Sequence, residues 1–261
     1  MELRFLGTGT STGIPVLRCH CKVCTSTDPR DRRLRASVIV RPAPDCPWIL
    51  IDCGPDLREQ LLREGSPDLC AALLTHSHYD HVGGIDDLRP YTHEAPDGRF
   101  PLYCLPDVER DLRDRVPYCF AEKLYPGVPT FAIHSIKPGS PFSIACGDRA
   151  VEIPPLPVLH GRLPIVGYRI GPMAYITDCS VMPKQTIELL QGVDTLVINA
   201  LRHKSHLSHM SIGEALEVAR EVAPRRTYFT HMSDGAGLHS ESHSFLPDGV
   251  EFAYDTLRLE L

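Results

Sequence analysis

The chain has 261 residues, 43% of them hydrophobic, which is enough to bury a large core. Its formal net charge of −6 argues against a general nucleic-acid binder or a protein drawn to anionic membranes. Because no run approaches about 18 apolar residues, we expect no transmembrane helix. The short, polar start Met1–Leu6 is unlike a signal peptide. We therefore expect a cytoplasmic protein whose ten cysteines are mostly reduced.

Short β-rich runs bounded by Gly, Pro or charged residues predict strands in both halves of the chain. These runs are Glu2–Leu6, Ser37–Arg41, Trp48–Asp52, Ala71–Thr75, Pro101–Cys104, Val151–Ile153, Ile165–Ile170, Met173–Thr177, Thr195–Asn199, Arg226–Thr230 and Glu251–Tyr254. Helices are predicted to start near Asp56, Asp107, Pro183 and Ser211, the last with a capping box. The pattern suits one domain over 1–261 with two facing sheets and outer helices. The weakly patterned segment from about 86 to 147 is predicted to hold short helices and an active-site flap.

Four potential metal ligands follow the apolar run Ala71–Leu74 within six residues, as His76, His78, Asp80 and His81. Alternate residues of an extended loop point the same way, so His76 and His78 can converge on one ion. Asp80 and His81 follow a turn and can serve a second ion. Imidazole and carboxylate ligands suit zinc, and also manganese or iron. A solvated histidine-rich loop is the alternative, but this spacing directly after a strand favours a metal site.

A site with two metals needs further ligands from distant strand ends, and three candidates are well placed. His160 follows an apolar run that begins at Val151, Asp178 ends the strand Met173–Thr177, and His231 ends the strand Arg226–Thr230. Each alone would be an ordinary loop residue, but all three stand at strand C-termini. A strand-end aspartate between two ions can bridge them, and we assign that role to Asp178.

This order of ligands resembles that of the metallo-β-lactamase superfamily, over nearly the whole chain from Phe5 to Asp255. The resemblance implies an α+β fold, a four-layer αββα sandwich with the site at the sheet edge. It also implies that His76, His78 and His160 hold one divalent ion and that Asp80, His81 and His231 hold the other, with Asp178 bridging. Asp52 matches the family's buried aspartate, whose role is to support the histidine loop from behind.

A second cluster, Cys19, Cys21 and Cys24, has the spacing of three thiolates around one soft ion, for which a structural zinc is the natural choice. Three reduced surface cysteines are the alternative. With the superfamily ligands, this element looks like the phosphodiesterase branch that includes phosphoribosyl cyclic phosphate phosphodiesterase. There a histidine three residues after the last active-site histidine is the fourth ligand. Here that position is Asp234, which can ligate zinc but departs from the pattern.

His209 stands just before the capped helix, where the resembling enzymes keep an active-site histidine that binds no metal. The resemblance implies that it contacts a phosphoryl oxygen and protonates the leaving alkoxide, while Asp80 orients the nucleophile as well as binding metal. His206 and Arg202 are candidates for binding the phosphate charge, with a solvated loop as the alternative for His206.

The predicted function is hydrolysis of small or cyclic phosphate esters through a hydroxide shared by two metal ions. Other hydrolases of the superfamily, such as lactonases, thioesterases and β-lactamases, stay open, because fold does not fix substrate. A tRNA 3′-processing ribonuclease is less favoured, since the chain shows no long basic arm, and nucleic acid is not the expected partner. A metal-binding protein without activity is disfavoured by the full set of seven ligands. Homodimers are common in the superfamily, but no sequence pattern reports the oligomeric state.

Overall fold

Two β-sheets form the centre of the fold. The computed structural model describes residues 1–261, except for the side chain of Pro96. The strands are β1 Glu2–Gly7, β2 Ser37–Arg41, β3 Trp48–Ile51, β4 Leu69–Leu73, β5 Phe100–Cys104, β6 Phe131–Ser135, β7 Phe142–Cys146, β8 Arg149–Ile153, β9 Pro155–His160, β10 Leu163–Ile170, β11 Met173–Ile176, β12 Thr195–Asn199, β13 Arg226–Thr230, β14 Val250–Phe252 and β15 Arg258–Glu260. All the strands predicted from the sequence are present, within a few residues of the expected bounds.

The strand order brings the carboxyl ends of several strands to one edge. The first sheet has the order β15-β1-β2-β3-β4-β5-β6 and the second β14-β13-β12-β11-β10-β9, while β7 and β8 form a separate hairpin. Neighbours from β3 to β6 run parallel, as do those from β11 to β14. Loops that follow parallel strands meet at one edge, where sheets of this kind bind ligands.

The alternation of side chains along a strand explains why both faces of the second sheet are covered. In β12, Val197 packs in the core shared with the first sheet. Its neighbours Leu196 and Ile198 point the other way, into the core beneath the outer helices. A strand buried on both faces reads as a continuous apolar run, as it does here. The result is the predicted four-layer αββα sandwich.

The helices are α1 Leu57–Arg63, α2 Tyr79–Val82, α3 Arg89–Glu94, α4 Pro106–Arg115, α5 Lys184–Leu190 and α6 Ile212–Val222. The capping box of α6 is confirmed, because the Ser211 side chain accepts from the Glu214 amide and the Glu214 side chain accepts from the Ser211 amide. Pro183 was predicted in the first turn of α5, but it is extended and stands at the N-cap, one position earlier.

The segment 86–147, predicted to hold short helices and an active-site flap, contains short helices and also adds strands to the fold. Within that segment β5 and β6 extend the first sheet by two parallel strands, and α3 and α4 connect them to their neighbours. The segment is thus largely part of the sandwich. The apolar runs in β6 and β7 are short and include polar residues, so the sequence did not indicate these two strands. None of the helices in the part of the chain that the structure describes is long and apolar enough to cross a membrane.

Candidate metal centre

The predicted ligands converge in two groups that share one carboxylate. The first group is His76, His78, His160 and Asp178, and the second is Asp80, His81, Asp178 and His231. Within each group, one ligand atom from every residue lies within 4.8 Å of the others. Asp178 belongs to both groups, which is the geometry expected of a bridging carboxylate. The structure therefore brings together all seven residues that the sequence singled out.

The backbone at the strand ends is specialised for this convergence. Asp52, Asp178 and His231 have φ of 63°, 54° and 54°, in the left-handed region that residues other than glycine seldom adopt. Asp52 directly follows β3, His231 directly follows β13, and Asp178 is the second residue after β11. Such conformations cost of order 1–3 kcal/mol each and concentrate at functional sites. The left-handed turn lets a side chain at the end of a strand point back toward the cluster.

Asp52 holds the histidine loop from behind, as predicted. One carboxylate oxygen accepts from the Thr75 amide at 2.8 Å. The other accepts from the Thr75 hydroxyl at 2.9 Å and lies 2.7 Å from Nδ1 of His81. The Thr75 hydroxyl is also 3.0 Å from Nδ1 of His76. These contacts leave the Nε2 atoms of both histidines to face the cluster.

Close backbone packing fixes this arrangement. The Cys53 amide donates to the His81 carbonyl at 2.7 Å, and the Gly84 amide donates to the Cys53 carbonyl at 2.8 Å. A Cβ at Gly54 would lie 2.1 Å from the carbonyl oxygen of Asp80, so only glycine allows the two loops to approach. The loop after β3 is therefore locked to the short helix α2.

Two residues that sequence reasoning did not single out position the remaining ligands. The Asn199 side chain, fully buried, accepts from the Cys179 amide at 2.8 Å and donates to the Cys179 carbonyl at 2.9 Å. It thereby fixes the turn that carries Asp178. The Ser208 carbonyl lies 2.6 Å from Nδ1 of His160 and orients that ring. Asn199 had a readable signal, as a polar residue that ends a buried strand, whereas a backbone carbonyl has none.

The electrostatics of the cluster favour a cation. Burial would raise the pKa of Asp178, but His231 and His81 outweigh it and hold the pKa well below the usual value. Burial opposes the charge of His231, yet Asp178 raises the pKa of that histidine to about 9. Burial likewise opposes the charge of His81, and Asp178 and Asp52 hold its pKa well above the ordinary value. Protonated histidines thus neutralise the buried carboxylates, and a bound divalent ion could supply the same positive charge.

The residues present fit metal ions by a second criterion. Nε2 of His76 and Nε2 of His81 are buried and have no hydrogen-bond partner among the described residues. Nε2 of His76 is 3.5 Å from an oxygen of Asp178, and Nε2 of His81 is 3.4 Å from the other. A buried ring nitrogen without a partner costs roughly 1–3 kcal/mol. Coordination of an ion between these atoms would satisfy them.

His209 lies beside both groups without belonging to either. Its ring centroid is 4.6 Å from that of His160 and 5.0 Å from that of His231. Burial and the neighbouring His231 lower its pKa to about 3. His206 is exposed, with its ring 5.2 Å from His209. Arg202, predicted to bind phosphate, donates to the Lys204 and Ser205 carbonyls of its own loop.

The Cys-rich loop also closes into a cluster. Cys19, Cys21, Cys24 and Asp234 each bring one ligand atom within 4.8 Å of the others. An oxygen of Asp234 is 3.3 Å from Sγ of Cys21 and 3.6 Å from Sγ of Cys19. The departure from histidine at position 234 therefore leaves a complete set of three thiols and one carboxylate.

Comparison with known proteins identifies the class of protein that this fold and site define. Residues 47–232 match the family profile described as beta-lactamase superfamily domain. The chain belongs to the metallo-β-lactamase superfamily, which confirms the predicted family and fold class. The crystal structure of a diphosphatase from the PhnP family matches with a TM-score of 0.89 and 39% identity. That match covers 100% of this chain and 96% of the diphosphatase, so the chain groups with the PhnP family.

Two other relatives are informative in different ways. An octanoyltransferase of Porphyromonas gingivalis is 42% identical over 98% of this chain, but the match covers 51% of that relative. The chain thus spans about half the length of the octanoyltransferase. Zn²⁺-bound PqqB from Methylobacterium extorquens matches with a TM-score of 0.81 over all of both chains, at 19% identity, which shows the shared fold alone.

Replacing Asp52 by asparagine tests the role of the buried carboxylate. The Asp52→Asn side chain keeps the volume but presents an amide to one of its donors, so the His81 ring loses its fixed orientation. We expect affinity for zinc to fall about 10–100-fold, measured by competition with a chromophoric chelator. Asp56→Asn is the matched control, because Asp56 pairs with Arg35 away from the cluster. Equal zinc affinity in both variants would contradict the role of Asp52.

Proposed function

We propose that this protein is a metal-dependent phosphodiesterase that acts on small or cyclic phosphate esters. The observation that carries the proposal is His209, a histidine outside both ligand groups whose ring lies 4.6 Å from that of His160 and 5.0 Å from that of His231. Hydrolysis of a phosphodiester requires charge stabilisation at phosphorus and a proton for the leaving oxygen. The similarity to a PhnP-family diphosphatase supports phosphoryl chemistry for this chain.

The ligand groups indicate which cofactors the protein would bind. His76, His78 and His160 would hold one divalent ion, Asp80, His81 and His231 a second, and Asp178 both. Zinc, manganese and iron suit these ligands. A structural zinc suits Cys19, Cys21, Cys24 and Asp234. All ten cysteines are free thiols, which supports a reducing compartment such as the cytoplasm.

Two metal ions bound here would polarise the phosphoryl oxygens and lower the pKa of water. The chain's own residues then position the reaction. Asp80 is buried with an oxygen 3.2 Å from Nε2 of His81, at the place where a carboxylate can orient a water molecule. His209 is partly exposed, and its ring is stacked on that of His231. Its low pKa in the free protein favours neutral imidazole, which donates one hydrogen bond. The charge of a bound phosphate favours protonation and allows that proton to pass to the leaving oxygen.

Turnover of a phosphodiester is the direct test of this function. Purified protein loaded with zinc or manganese is expected to hydrolyse bis(p-nitrophenyl) phosphate and cyclic ribose phosphates. His78→Ala is expected to abolish turnover and remove one metal ion per chain, because His78 serves the first group. His93→Ala, at an exposed histidine in α3, is the control and is expected to match the parent protein. Absence of turnover above the metal-free protein, on every ester tested, would rule out the proposal.

His209→Ala separates catalysis from metal binding. Loss of the imidazole is expected to lower kcat by about 10²–10⁴-fold, the usual contribution of general acid catalysis. The metal content, measured by elemental analysis, is expected to stay unchanged. His203→Ala is the control, because His203 lies in the same loop and packs against Phe245. Loss of metal in His209→Ala would show that His209 is a ligand and not a proton donor.

Cys21→Ser tests the structural zinc. The variant is expected to bind one zinc ion fewer per chain and to unfold at a temperature lower by several degrees, because binding energy at such a site is folding energy. Turnover per active-site metal is expected to change little. Cys119→Ser is the control for loss of a buried thiol outside both clusters. Unchanged zinc content in Cys21→Ser would exclude a thiolate site in this loop.

A further inference from the structure

The metal centre is open to solvent on one side. His76, His81 and Asp178 are buried, and they close the cluster from within the sandwich. His78 is exposed, and His160 and His209 are partly exposed. A substrate must therefore approach across His78, His160 and His209. The side chains that surround this opening determine what organic group can accompany the phosphate.

Four large apolar side chains are exposed beside this opening. They are Leu207, Tyr79, Val181 and Leu163, with 96%, 61%, 50% and 39% of their surface exposed. Each lies within three residues of a predicted metal ligand or of His209. A single exposed leucine is ordinary, but a group of them around one opening indicates a binding surface. We call these four residues the apolar rim.

Backbone contacts hold the segments of three rim residues against β9, the strand that ends at His160. Leu163 is paired with His160 across the β9–β10 hairpin. The Val181 amide donates to the Leu159 carbonyl at 3.2 Å, next to His160 in the chain. The loop that carries Leu207 is held by the contact between His160 and the Ser208 carbonyl. The segments that carry Leu163, Val181 and Leu207 are therefore held next to β9 and its last residue, His160.

Tyr79 completes the rim beside His78, whose ring centroid is 5.1 Å from that of His160. A Cβ built at Gly83 would lie 2.7 Å from Cε2 of the Tyr79 ring, so the ring lies against the bare backbone of that glycine. This contact holds the ring in place while 61% of the residue stays exposed. An aromatic ring fixed in this way is a surface on which a flat organic group can stack.

The rim also carries cationic side chains. Arg162 precedes Leu163, and Lys204 stands three residues before Leu207. Both are exposed. In a chain with a net charge of −6, cations beside an apolar surface suit a ligand that joins a negative group to an apolar one. A phosphodiester with an aromatic substituent has this composition.

We propose that the apolar rim binds an aromatic or similarly flat apolar group of the substrate while its phosphate lies against the metal centre. This specificity rests on the proposed phosphodiesterase function. It predicts that Leu207 and Leu163 act through substrate binding and not through the chemical step. A second copy of the chain is the competing occupant of the rim, and the experiment below distinguishes the two.

The test compares two substrates with the same leaving group. Bis(p-nitrophenyl) phosphate carries a second aromatic ring, whereas methyl p-nitrophenyl phosphate carries a methyl group in its place. In the double variant Leu163→Ser/Leu207→Ser, KM for the diaryl ester is expected to rise about tenfold with kcat little changed, the usual cost of losing apolar contacts. The methyl ester is expected to respond much less. Leu62→Ser, at an exposed leucine outside the rim, is the control.

A binding measurement keeps the rim separate from the proposed activity. Calorimetric titration of the metal-loaded protein is expected to show tighter binding of diphenyl phosphate than of dimethyl phosphate, with the preference lost in the double variant. If neither ester is hydrolysed but this preference is found, the proposed binding role of the rim is supported and the phosphodiesterase proposal fails. An equal change of KM for both esters in the double variant, or no preference in binding by the parent protein, would overturn the proposed binding role of the rim. Light scattering that shows the parent as a dimer and the double variant as a monomer, with KM unchanged, would assign the rim to subunit contact.

Discussion

The buried carboxylate of Asp52 is the contact on which the rest of the site depends. It lies fully buried at the end of β3 and accepts from both the amide and the hydroxyl of Thr75, while His81 contacts the same oxygen as the hydroxyl. Burial raises the pKa of Asp52, and His81 opposes that effect. Removing one partner of such a group leaves an uncompensated buried charge, which is strongly destabilising. Asp52 therefore fixes both ends of the histidine motif, Thr75 beside His76 and His81, to the first sheet before any ion binds.

The second sheet supplies the opposing half of the cluster in a comparable way. Asp178 follows β11 and His231 follows β13, two strands that run parallel on either side of β12. Asn199, the last residue of β12, braces the turn after Asp178. The segment after His231 continues into Asp234, which joins the Cys-rich loop. Met232 lies between them, and its backbone pairs with Thr8 and Thr10. The cysteine cluster is thus linked to the last active-site ligand through a few residues of ordered backbone.

Much of this arrangement could be predicted because strand ends are readable in a sequence. Polar ligands directly after apolar runs identified His76, His160, Asp178 and His231, and the two sheets do bring them together. The sequence is less informative where the surroundings of a residue decide its contacts. The guanidinium of Arg202 donates to two carbonyls of its own loop, and no sequence pattern reports these contacts. Likewise β6 joins the first sheet through pairing with β5, a contact distant in sequence that no local pattern reports.

The division between strand ends and loops explains why family and substrate are specified separately. The ligands lie at the ends of buried strands. A shift of one residue along such a strand would turn each side chain to the other face of the sheet, so the geometry of the ligands is tightly constrained. The rim residues other than Tyr79 lie at the start of β10, in the loop after Asp178 and in the loop before His209. Loops there change without cost to the core. Tyr79 is the exception, since it lies inside the metal motif and rests on Gly83. That position joins the two layers, because a side chain between two ligands can alter substrate fit without moving either of them.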